Sequence, residues 1–374
     1  MTGTANRTAR PRSPSAADGR KRTIYDVAAR AGASASTVSA VLSGSWQDRR
    51  ISADTARRVT LAATELGYSP NLQARGLRQA RSGLVGMILP EHENRFFAQL
   101  AQAFSKQTRA RGLLPAIIST RRDPQEEARS VSDLLSYATD ALVVAGASDP
   151  AAISRLCRRA GLRHVFVDQP CEGAPSVVTD NAGGAKSLAS ALLEDVRRRG
   201  TSLPEARAFL VGGDARLPAT AARIAGFREA LRGAGMAAGP EQIVACGYAP
   251  ANAGQALLNL RDRLGRLPDA LLVNSITAFE GALPVLSALP ENEVAACAVG
   301  CFDFSPFLSS LRFPVWMVRQ RTGALMNAAF GVLDRPAGVP EPEGALHLVP
   351  AELVVPGHAG LGQKQGNGME RLTS

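Results

Sequence analysis

The sequence predicts a small α-helical unit followed by a larger α/β unit built on parallel sheets. Apolar residues recur at helical spacing in three short segments between residues 24 and 66. From residue 83 onward, short apolar runs alternate with amphipathic helical stretches, which is the pattern of parallel α/β sheets. At 374 residues the chain is also too long for one ordinary core, so two or three domains are expected.

The N-terminal helical segments have clear start and stop signals. The first helix is predicted at 24–31, where the apolar residues form one face and Gly32 follows. Ser34 is the expected cap of a second helix at 35–43, and Ser52 caps a third that runs to residue 66. Two short helices joined by a tight glycine turn, with a third behind them, indicate a helix-turn-helix module at 23–69.

A fourth helical candidate, "PNLQARGLRQA", begins at Pro70 and belongs to a predicted hinge and linker at 70–82. Gly76 lies inside it and costs about 1 kcal/mol relative to alanine. A helix of about two turns is marginal on its own in water. We therefore expect this segment to become ordered only when a partner stabilises it.

The remainder, residues 83–359, is predicted to be a two-lobed core. The predicted strands are "LVGMIL", "LPAII", "ALVVA", "RHVFV", "ARAFLV", "QIVAC", "ALLV" and "ACAVG". The predicted helices lie at 97–111, 125–137, 151–160, 183–198, 219–234, 252–264 and 277–288. Eight such units exceed one mononucleotide-binding half, which favours two lobes. The tail at 360–374 is poor in apolar residues and is predicted to be disordered.

The positive charge is concentrated at one end of the chain. Residues 1–82 hold 14 Lys and Arg against 5 Asp and Glu, whereas the remaining residues hold 29 against 28. A net charge of +9 on the first fifth of an otherwise neutral chain is typical of a protein that binds a polyanion. Residues 1–22, rich in Arg, Ser and Pro, are predicted to form a disordered basic arm.

Several other classes of protein are disfavoured by the sequence. No apolar run reaches the roughly 18 residues of a membrane span, and no signal peptide is recognised. The five cysteines have no metal-binding spacing, which favours reduced core thiols. Nucleotide-binding, zinc-protease and nucleophile-elbow motifs are missing, so no enzyme activity, cofactor or metal is predicted.

The motifs "TIYDVAARAGASASTVSAVLSG" and "ISADTARRVTLAATELGYSPNLQARGLR" resemble the DNA-binding headpiece of the lactose-repressor family. The α/β body is similar to the periplasmic-binding-protein-like core of that family, so the resemblance covers residues 23–356. The loop "SGSWQDRRIS" is longer than in the lactose repressor itself. With "ILPEHENRFFAQLAQAF" and "VWMVRQRTGAL", it is similar to the fructose and sucrose repressor branch.

The resemblance implies that the second helix meets base edges in the major groove. The implied DNA-binding residues of the headpiece are Ala35, Ser36 and Ala40 at the bases, Thr37 and Ser39 at phosphates, and Thr23. Family members usually carry longer polar side chains here, and two alanines offer only apolar contact, for example to a thymine methyl. In the hinge, the implied residues are Leu77 as a minor-groove wedge, Ala74 for close approach, and Asn71. The alternative is that the serines and Thr37 are cap and surface residues and Leu77 is an ordinary linker residue.

The resemblance also implies a ligand cleft between two lobes that are joined by three crossing segments. The implied effector-binding residues are Phe96, Phe97, Asp168, Arg223, Asn274, Asp303 and Gln320. The phenylalanines would stack on a sugar face, while carboxylates, amides and one arginine suit hydrogen bonds to hydroxyl groups. Gln169 stands where the family often has arginine, which weakens the case for a phosphorylated sugar unless Arg95 or Arg121 compensates. The alternative for each residue is an ordinary polar group at a strand end.

Together these observations predict a homodimeric or tetrameric transcriptional regulator that represses carbohydrate-metabolism genes. It would bind a palindromic double-stranded DNA operator and respond to a sugar or sugar phosphate, in the cytoplasm of a bacterium and associated with the nucleoid. Two alternatives remain open: a regulator that responds to a non-sugar metabolite, and a DNA-binding protein that is independent of any ligand. A free-standing transport protein is disfavoured by the attached headpiece.

Overall fold

The computed structural model describes residues 22–68, 82–336 and 345–357. The chain divides into two compact units, residues 1–80 and 81–374. The predicted basic arm, hinge and tail fall outside the described residues, apart from Arg22 and Ser82. The domain boundaries given above, and the hinge residues Asn71, Ala74 and Leu77, therefore stay predictions.

The described part of the first unit, called the headpiece below, contains three helices: α1 (Ile24–Ala31), α2 (Ala35–Leu42) and α3 (Ala53–Glu65). Gly32 ends α1 in the left-handed conformation (φ 61°), which glycine adopts without steric cost. Ser34 and Ser52 cap α2 and α3, since their side chains accept hydrogen bonds from backbone N–H groups in the first turns. The three helices predicted from the sequence are confirmed to within two residues at each end.

The headpiece core is small and built from short side chains. Val27, Val38 and Val59 are fully buried, one from each helix. Ala56, Ala62 and other alanines fill the space between them, and Trp46 packs at the edge of the same cluster. Because alanine and valine allow close helix approach, about 45 residues can enclose a core whose fully buried members include no aromatic side chain.

The second unit contains two six-stranded sheets. In the first, the strand order is β11-β5-β4-β3-β1-β2 and every pairing is parallel. The second has the order β12-β10-β9-β8-β6-β7, with only β12 antiparallel. The strands of the first sheet are β1 (Leu84–Leu89), β2 (Leu114–Ser119), β3 (Ala141–Ala145), β4 (Arg163–Val167), β5 (Ser176–Thr179) and β11 (Leu346–Val349). Those of the second are β6 (Ala208–Val211), β7 (Ile243–Val244), β8 (Ala270–Val273), β9 (Ala298–Cys301), β10 (Val315–Arg319) and β12 (Glu352–Val354).

Helices cover both sheets and form two lobes, named the first and second lobe after their sheets. The helices are α4 (Arg95–Ala110), α5 (Pro124–Ser136), α6 (Pro150–Arg159), α7 (Asn181–Arg198), α8 (Pro218–Gly233), α9 (Pro250–Leu264), α10 (Ile276–Ala288), α11 (Glu291–Ala295) and α12 (Thr322–Leu333). The predicted two-lobed α/β fold is confirmed, including all eight predicted strands and seven predicted helices. Strands β5, β10, β11 and β12 and helices α11 and α12 are additional.

The chain crosses between the lobes three times within the described residues. The crossings lie between β5 and α7, between β10 and α12, and between β11 and β12. The hydroxyl of Thr179 on the first crossing donates a 2.8 Å hydrogen bond to Oε1 of Gln320 on the second. Gln320 therefore lies at a lobe crossing, as predicted, and is tied to a second crossing segment.

All five cysteines are unpaired, and four of them are buried. Burial raises the pKa of Cys157 to about 11 and that of Cys297 to about 12, because the thiolate would lose its hydration. Thiols held in the neutral form react slowly. The cysteines therefore behave as core residues, in agreement with the sequence prediction.

Candidate functional site

The N-terminal end of α2 carries a cluster of hydroxyl groups. The hydroxyl of Ser34 lies 2.8 Å from Oγ of Ser36 and 2.8 Å from Oγ1 of Thr37. Ser36 is exposed, whereas Ala35, Thr37 and Ser39 are half-buried. Ser34, Ser36 and Thr37 share the N-terminal end of a short helix, and Ser39 lies within its second half, so they present a small polar surface that suits base-edge and phosphate contacts.

Ala40 does not belong to this surface, and its predicted base contact is withdrawn. Its relative exposure is 3 %, and the chain after α2 folds back over it, since Ser45 N and Ser43 Oγ both donate to the Ala40 carbonyl. A buried methyl group has almost no area to offer to a thymine. The prediction failed because it rested on sequence position and could not anticipate how the following loop folds.

Tyr25 is an exposed aromatic residue that the sequence reasoning missed. It lies in the first turn of α1 and keeps 73 % of its surface exposed, beside the half-buried Thr23. Asp26 fixes Thr23, because its Oδ2 accepts from both the N–H (2.7 Å) and the hydroxyl (2.8 Å) of that residue. The helical periodicity already placed Tyr25 off the apolar face of α1, and this was the signal that could have identified it.

In the second unit, three predicted polar residues follow strand ends. Asp168 follows β4, Asn274 follows β8 and Asp303 lies just beyond β9. Ligands of parallel α/β sheets bind at the carboxyl ends of strands, so these side chains lie where a ligand is expected. Asp168 has a φ of 72°, a conformation that costs energy for a residue with a Cβ and often marks a functional position.

Arg223, on α8, is a buried cation held by neutral groups. It is only 4 % exposed. Its Nε donates to Oδ1 of Asn181 (2.8 Å), its Nη1 donates to the Asn274 carbonyl (2.6 Å), and its guanidinium lies 3.8 Å from the centre of the Phe302 ring. In the described part of the chain, no carboxylate lies within ion-pair distance of it, so its charge remains available to a polar or anionic ligand.

The charge of Arg223 affects the pKa values of Asp168 and Asp303. Burial raises the pKa of Asp168, while the guanidinium groups of Arg223 and Arg122 oppose the rise. Burial likewise raises the pKa of Asp303, opposed chiefly by Arg223. Asp168 and Asp303 follow strands of different lobes, and the charge of Asp303 contributes to the raised pKa of Asp168.

Asn274 is a buried polar side chain without a hydrogen-bond partner among the described residues. It is completely buried, and neither its Oδ1 nor its Nδ2 has a hydrogen-bond partner among the described residues. Gly213 leaves the space for it, because a Cβ at that position would collide with the Asn274 amide and lie 2.7 Å from the Thr220 hydroxyl. A buried amide with unused hydrogen-bonding capacity is costly and indicates a binding position for a polar ligand.

Asp303 and Gln320 are held in one hydrogen-bond chain. Asp303 Oδ2 accepts from Ile276 N (3.0 Å) and Oδ1 accepts from Gln320 Nε2 (2.8 Å). Since Gln320 Oε1 also accepts from Thr179, both ends of this amide are occupied. Gln320 therefore orients Asp303 and connects it to a lobe crossing.

A cavity lies between the lobes, and one of the two predicted phenylalanines, Phe96, lines it. It is lined by Arg95, Phe96, Gln99, Ile276, Asp303, Phe304, Arg319 and Gln320. Phe97 is not among these residues, is 4 % exposed and packs in the core of the first lobe, so its predicted role in stacking is corrected to packing. Consecutive residues of a helix point about 100° apart, so of the two phenylalanines Phe96 lines the cavity together with Arg95 and Gln99 of the same helix, while Phe97 points into the core.

The structure adds residues that the sequence reasoning missed. Arg122 acts on the pKa of Asp168 and donates to the Gly146 carbonyl (2.9 Å), so this arginine, and not the suggested Arg121, lies near that carboxylate. Arg95 does line the cavity, as suggested. Asn181 and Arg319 were also missed, since their relevance depends on how the lobes meet.

Other kinds of site find no support within the described ranges. No group of three or more potential metal ligands occurs there. No helix in those ranges combines the length and apolar character needed to cross a membrane.

Comparison with known proteins agrees with both units. The family model "Bacterial regulatory proteins, lacI family" matches residues 23–71, and a model for a periplasmic binding protein domain matches residues 85–307. The ribitol operon repressor of Klebsiella aerogenes is 47 % identical over 186 residues, covering 50 % of this chain and 69 % of that protein. The sucrose operon repressor of Klebsiella pneumoniae is 28 % identical over 337 residues, covering 89 % and 97 % of the two chains. The crystal structure of the Cra transcriptional dual regulator from Pseudomonas putida, in complex with fructose 1-phosphate, is similar with a TM-score of 0.63 and 25 % identity, covering 73 % and 98 %.

Proposed function

Because the chain belongs to the lacI family of bacterial regulatory proteins, we propose that it represses carbohydrate-metabolism genes by binding operator DNA under the control of a small effector. The family is not enzymatic, and the protein is a transcription regulator rather than a catalyst. Ligand binding to the cleft would relieve repression. The protein would act in the bacterial cytoplasm, on the nucleoid.

The buried amide of Asn274 is the observation that carries the effector proposal. Its two side-chain polar atoms have no partner, and its backbone carbonyl accepts a hydrogen bond from Arg223, whose charge is unpaired in the described residues. With Asp168 and Asp303 nearby, the cleft offers donors and acceptors in the combination that vicinal hydroxyl groups require. This combination favours a sugar, a polyol or a sugar phosphate, and Phe96 offers an aromatic face at the cavity wall.

The effector proposal is tested by thermal unfolding of the full-length protein with ribitol, sucrose, fructose and fructose 1-phosphate. The last three represent the sugar and sugar-phosphate chemistry of the relatives, and ribitol represents the polyol. At least one should raise the unfolding temperature of the wild type and not that of Asn274→Ala. Asn259→Ala, the same substitution on an exposed surface of α9, serves as the control. If no carbohydrate shifts the temperature but an amino acid or nucleobase does, a non-sugar effector replaces this proposal.

On DNA, we propose a homodimer on a palindromic operator, with α2 of each headpiece in a major groove. Ser36 would meet a base edge, while Thr37, Ser39 and Thr23 would contact phosphates, with Ala35 providing apolar contact. Asn71, Ala74 and Leu77 would contact the minor groove at the centre of the site. Gel retardation with and without the bound carbohydrate separates a ligand-switched repressor from a ligand-independent binder, which would retard DNA equally in both conditions.

A further inference from the structure

The loop between α2 and α3, residues 43–50, has a fixed shape. Trp46 is half-buried against the headpiece core, and its carbonyl accepts a 2.9 Å hydrogen bond from Ile51 N. Arg50 N donates to the Gln47 carbonyl (2.9 Å) and Ser45 N donates to the Ala40 carbonyl (3.0 Å). The backbone of the 43–50 loop is therefore held at both ends and anchored in the middle by an aromatic side chain.

This loop presents two free arginines. Arg49 and Arg50 are exposed and take part in no ion pair within the described residues. The other arginines on the headpiece helices, Arg30, Arg57 and Arg58, are each paired with a carboxylate. The loop contains one acidic residue, Asp48, which is also exposed, so its net charge is positive.

Arg50 keeps an unfavourable backbone conformation. Its φ is 55°, in the left-handed region that disfavours any residue with a Cβ. Earlier in the same loop the chain has glycine where φ is positive, at Gly44 (79°). An arginine at a position better suited to glycine points to a role for the guanidinium that stability alone does not explain.

The place of the loop indicates its partner. Helix α2 has eight residues and is about 12 Å long, which is close to the width of the major groove of about 12 Å. With the N-terminal residues of α2 placed at the base edges, the chain that leaves its C-terminal end lies one helix length away from them, on the side of the phosphates that border the groove. With Ala40 buried and Ala35 apolar, α2 itself supplies few contacts, so affinity must come from its surroundings.

We infer that Arg49 and Arg50 form a phosphate-binding site, held in place by Trp46, that contacts the DNA backbone beside the groove occupied by α2. This inference rests on the proposed function, since it assumes that the headpiece binds DNA. The ligand is the phosphodiester anion of the duplex, so the contact adds affinity without sequence preference. Asp48 weakens the site, and Asp48→Asn should strengthen binding to any duplex.

The test is a titration of full-length protein, over a range of salt concentrations, against two duplexes of equal length. One is recovered from a random-sequence pool by the wild-type protein, and the other is unrelated. Arg49→Ala with Arg50→Ala should reduce affinity for both by about 10- to 100-fold near 0.1 M salt, and lower the salt slope by about 1.8 per chain. Arg197→Ala with Arg198→Ala on α7, which removes the same charge from an exposed site in the second unit, should leave both unchanged.

Two further variants distinguish a DNA contact from a structural role. Arg50→Gly should raise the unfolding temperature, because it removes the unfavourable φ, and yet weaken DNA binding. Arg49→Lys with Arg50→Lys should keep most of the salt slope, because the charges remain. A wild-type salt slope in the double alanine variant, or wild-type affinity in Arg50→Gly, would overturn the inference while leaving the proposed function intact. Failure of the wild type to enrich or bind any duplex would overturn both.

Discussion

Two buried amides of the second unit, Asn274 and Gln320, should respond to alanine substitution in opposite ways. Asn274 has no hydrogen bond to lose from its side chain, whereas both ends of the Gln320 amide are bonded. Both residues are at most 7 % exposed. Each is therefore a control for the other, with burial and chemical type kept nearly constant.

The magnitudes follow from hydrogen bonds gained and lost. Asn274→Ala removes two groups that would each form an effector hydrogen bond of about 1 kcal/mol, so effector affinity should fall about 30-fold. Its free energy of unfolding without ligand should change by less than about 1 kcal/mol, because a costly unpaired amide is removed along with its packing. Gln320→Ala leaves Asp303 and Thr179 short of partners and should cost about 2–4 kcal/mol of stability, which lowers the unfolding temperature by several degrees.

The assay combines calorimetric titration with thermal unfolding, using the carbohydrate that gives the largest shift with the wild type. The reasoning would be refuted if Asn274→Ala bound that carbohydrate like the wild type. It would also be refuted if the two variants lost stability equally, because the unpaired amide would then have a structural role.

Three other predictions address packing, pH and DNA. A Cβ at Gly226 would collide with the backbone carbonyl of Ala182, which cannot turn aside as a side chain could. Gly226→Ala should therefore force α7 and α8 apart and lower the free energy of unfolding by about 3 kcal/mol. Gly233→Ala on the same helix meets nothing within 4 Å and should be neutral or stabilising; equal unfolding temperatures for the two variants would contradict this. Because burial raises the folded-state pKa values of Asp168 and Asp303 above their unfolded values, their contribution to stability is present at acidic pH and is lost as pH rises through the folded pKa values. A hydroxyl-rich effector favours the ionised forms, so its affinity should fall on acidification at a higher pH than an ordinary carboxyl would give, and an affinity that is flat down to the ordinary carboxyl range would contradict the assignment. Leu77→Ala should weaken operator binding strongly without changing the unfolding of the headpiece. An unchanged affinity for the operator would contradict the proposed insertion of Leu77 between bases in the minor groove.

The elements that depend on local sequence were predictable. The headpiece helices have caps at Ser34 and Ser52 and a glycine stop at Gly32, all of which act within one turn. The apolar strands of the core were equally visible, because each coincides with a run of hydrophobic residues. Strands β11 and β12 lack the apolar run of the predicted strands, since they include His347 and Glu352, and they pair with partners distant in the sequence. The sequence of helix α12, in contrast, is apolar enough to indicate a buried helix.

The cleft was predictable where it depends on strand ends and not where it depends on lobe contacts. Asp168, Asn274 and Asp303 follow apolar runs, so their position could be inferred from the chain alone. Arg122 and Asn181 gain significance only through Asp168 and Arg223, which come from elsewhere in the fold. The helical rotation that separates Phe96 from Phe97 requires knowing which face of α4 is buried.

The burial of Ala40 changes how DNA recognition by this headpiece must be explained. In a recognition helix with long polar side chains, each bidentate contact with a base discriminates against the wrong base by about 1–3 kcal/mol. Here α2 leaves Ser36 as its exposed hydroxyl and Ala35 as a half-buried methyl, so direct reading contributes little. Phosphate contacts add affinity to every duplex alike, and they cannot replace the missing discrimination. If the protein selects one operator, most of that selectivity must come from the energy of deforming DNA at the centre of the site, where the residues around Leu77 are proposed to act. The flexibility of the central base step should then affect binding more than any single base that faces α2.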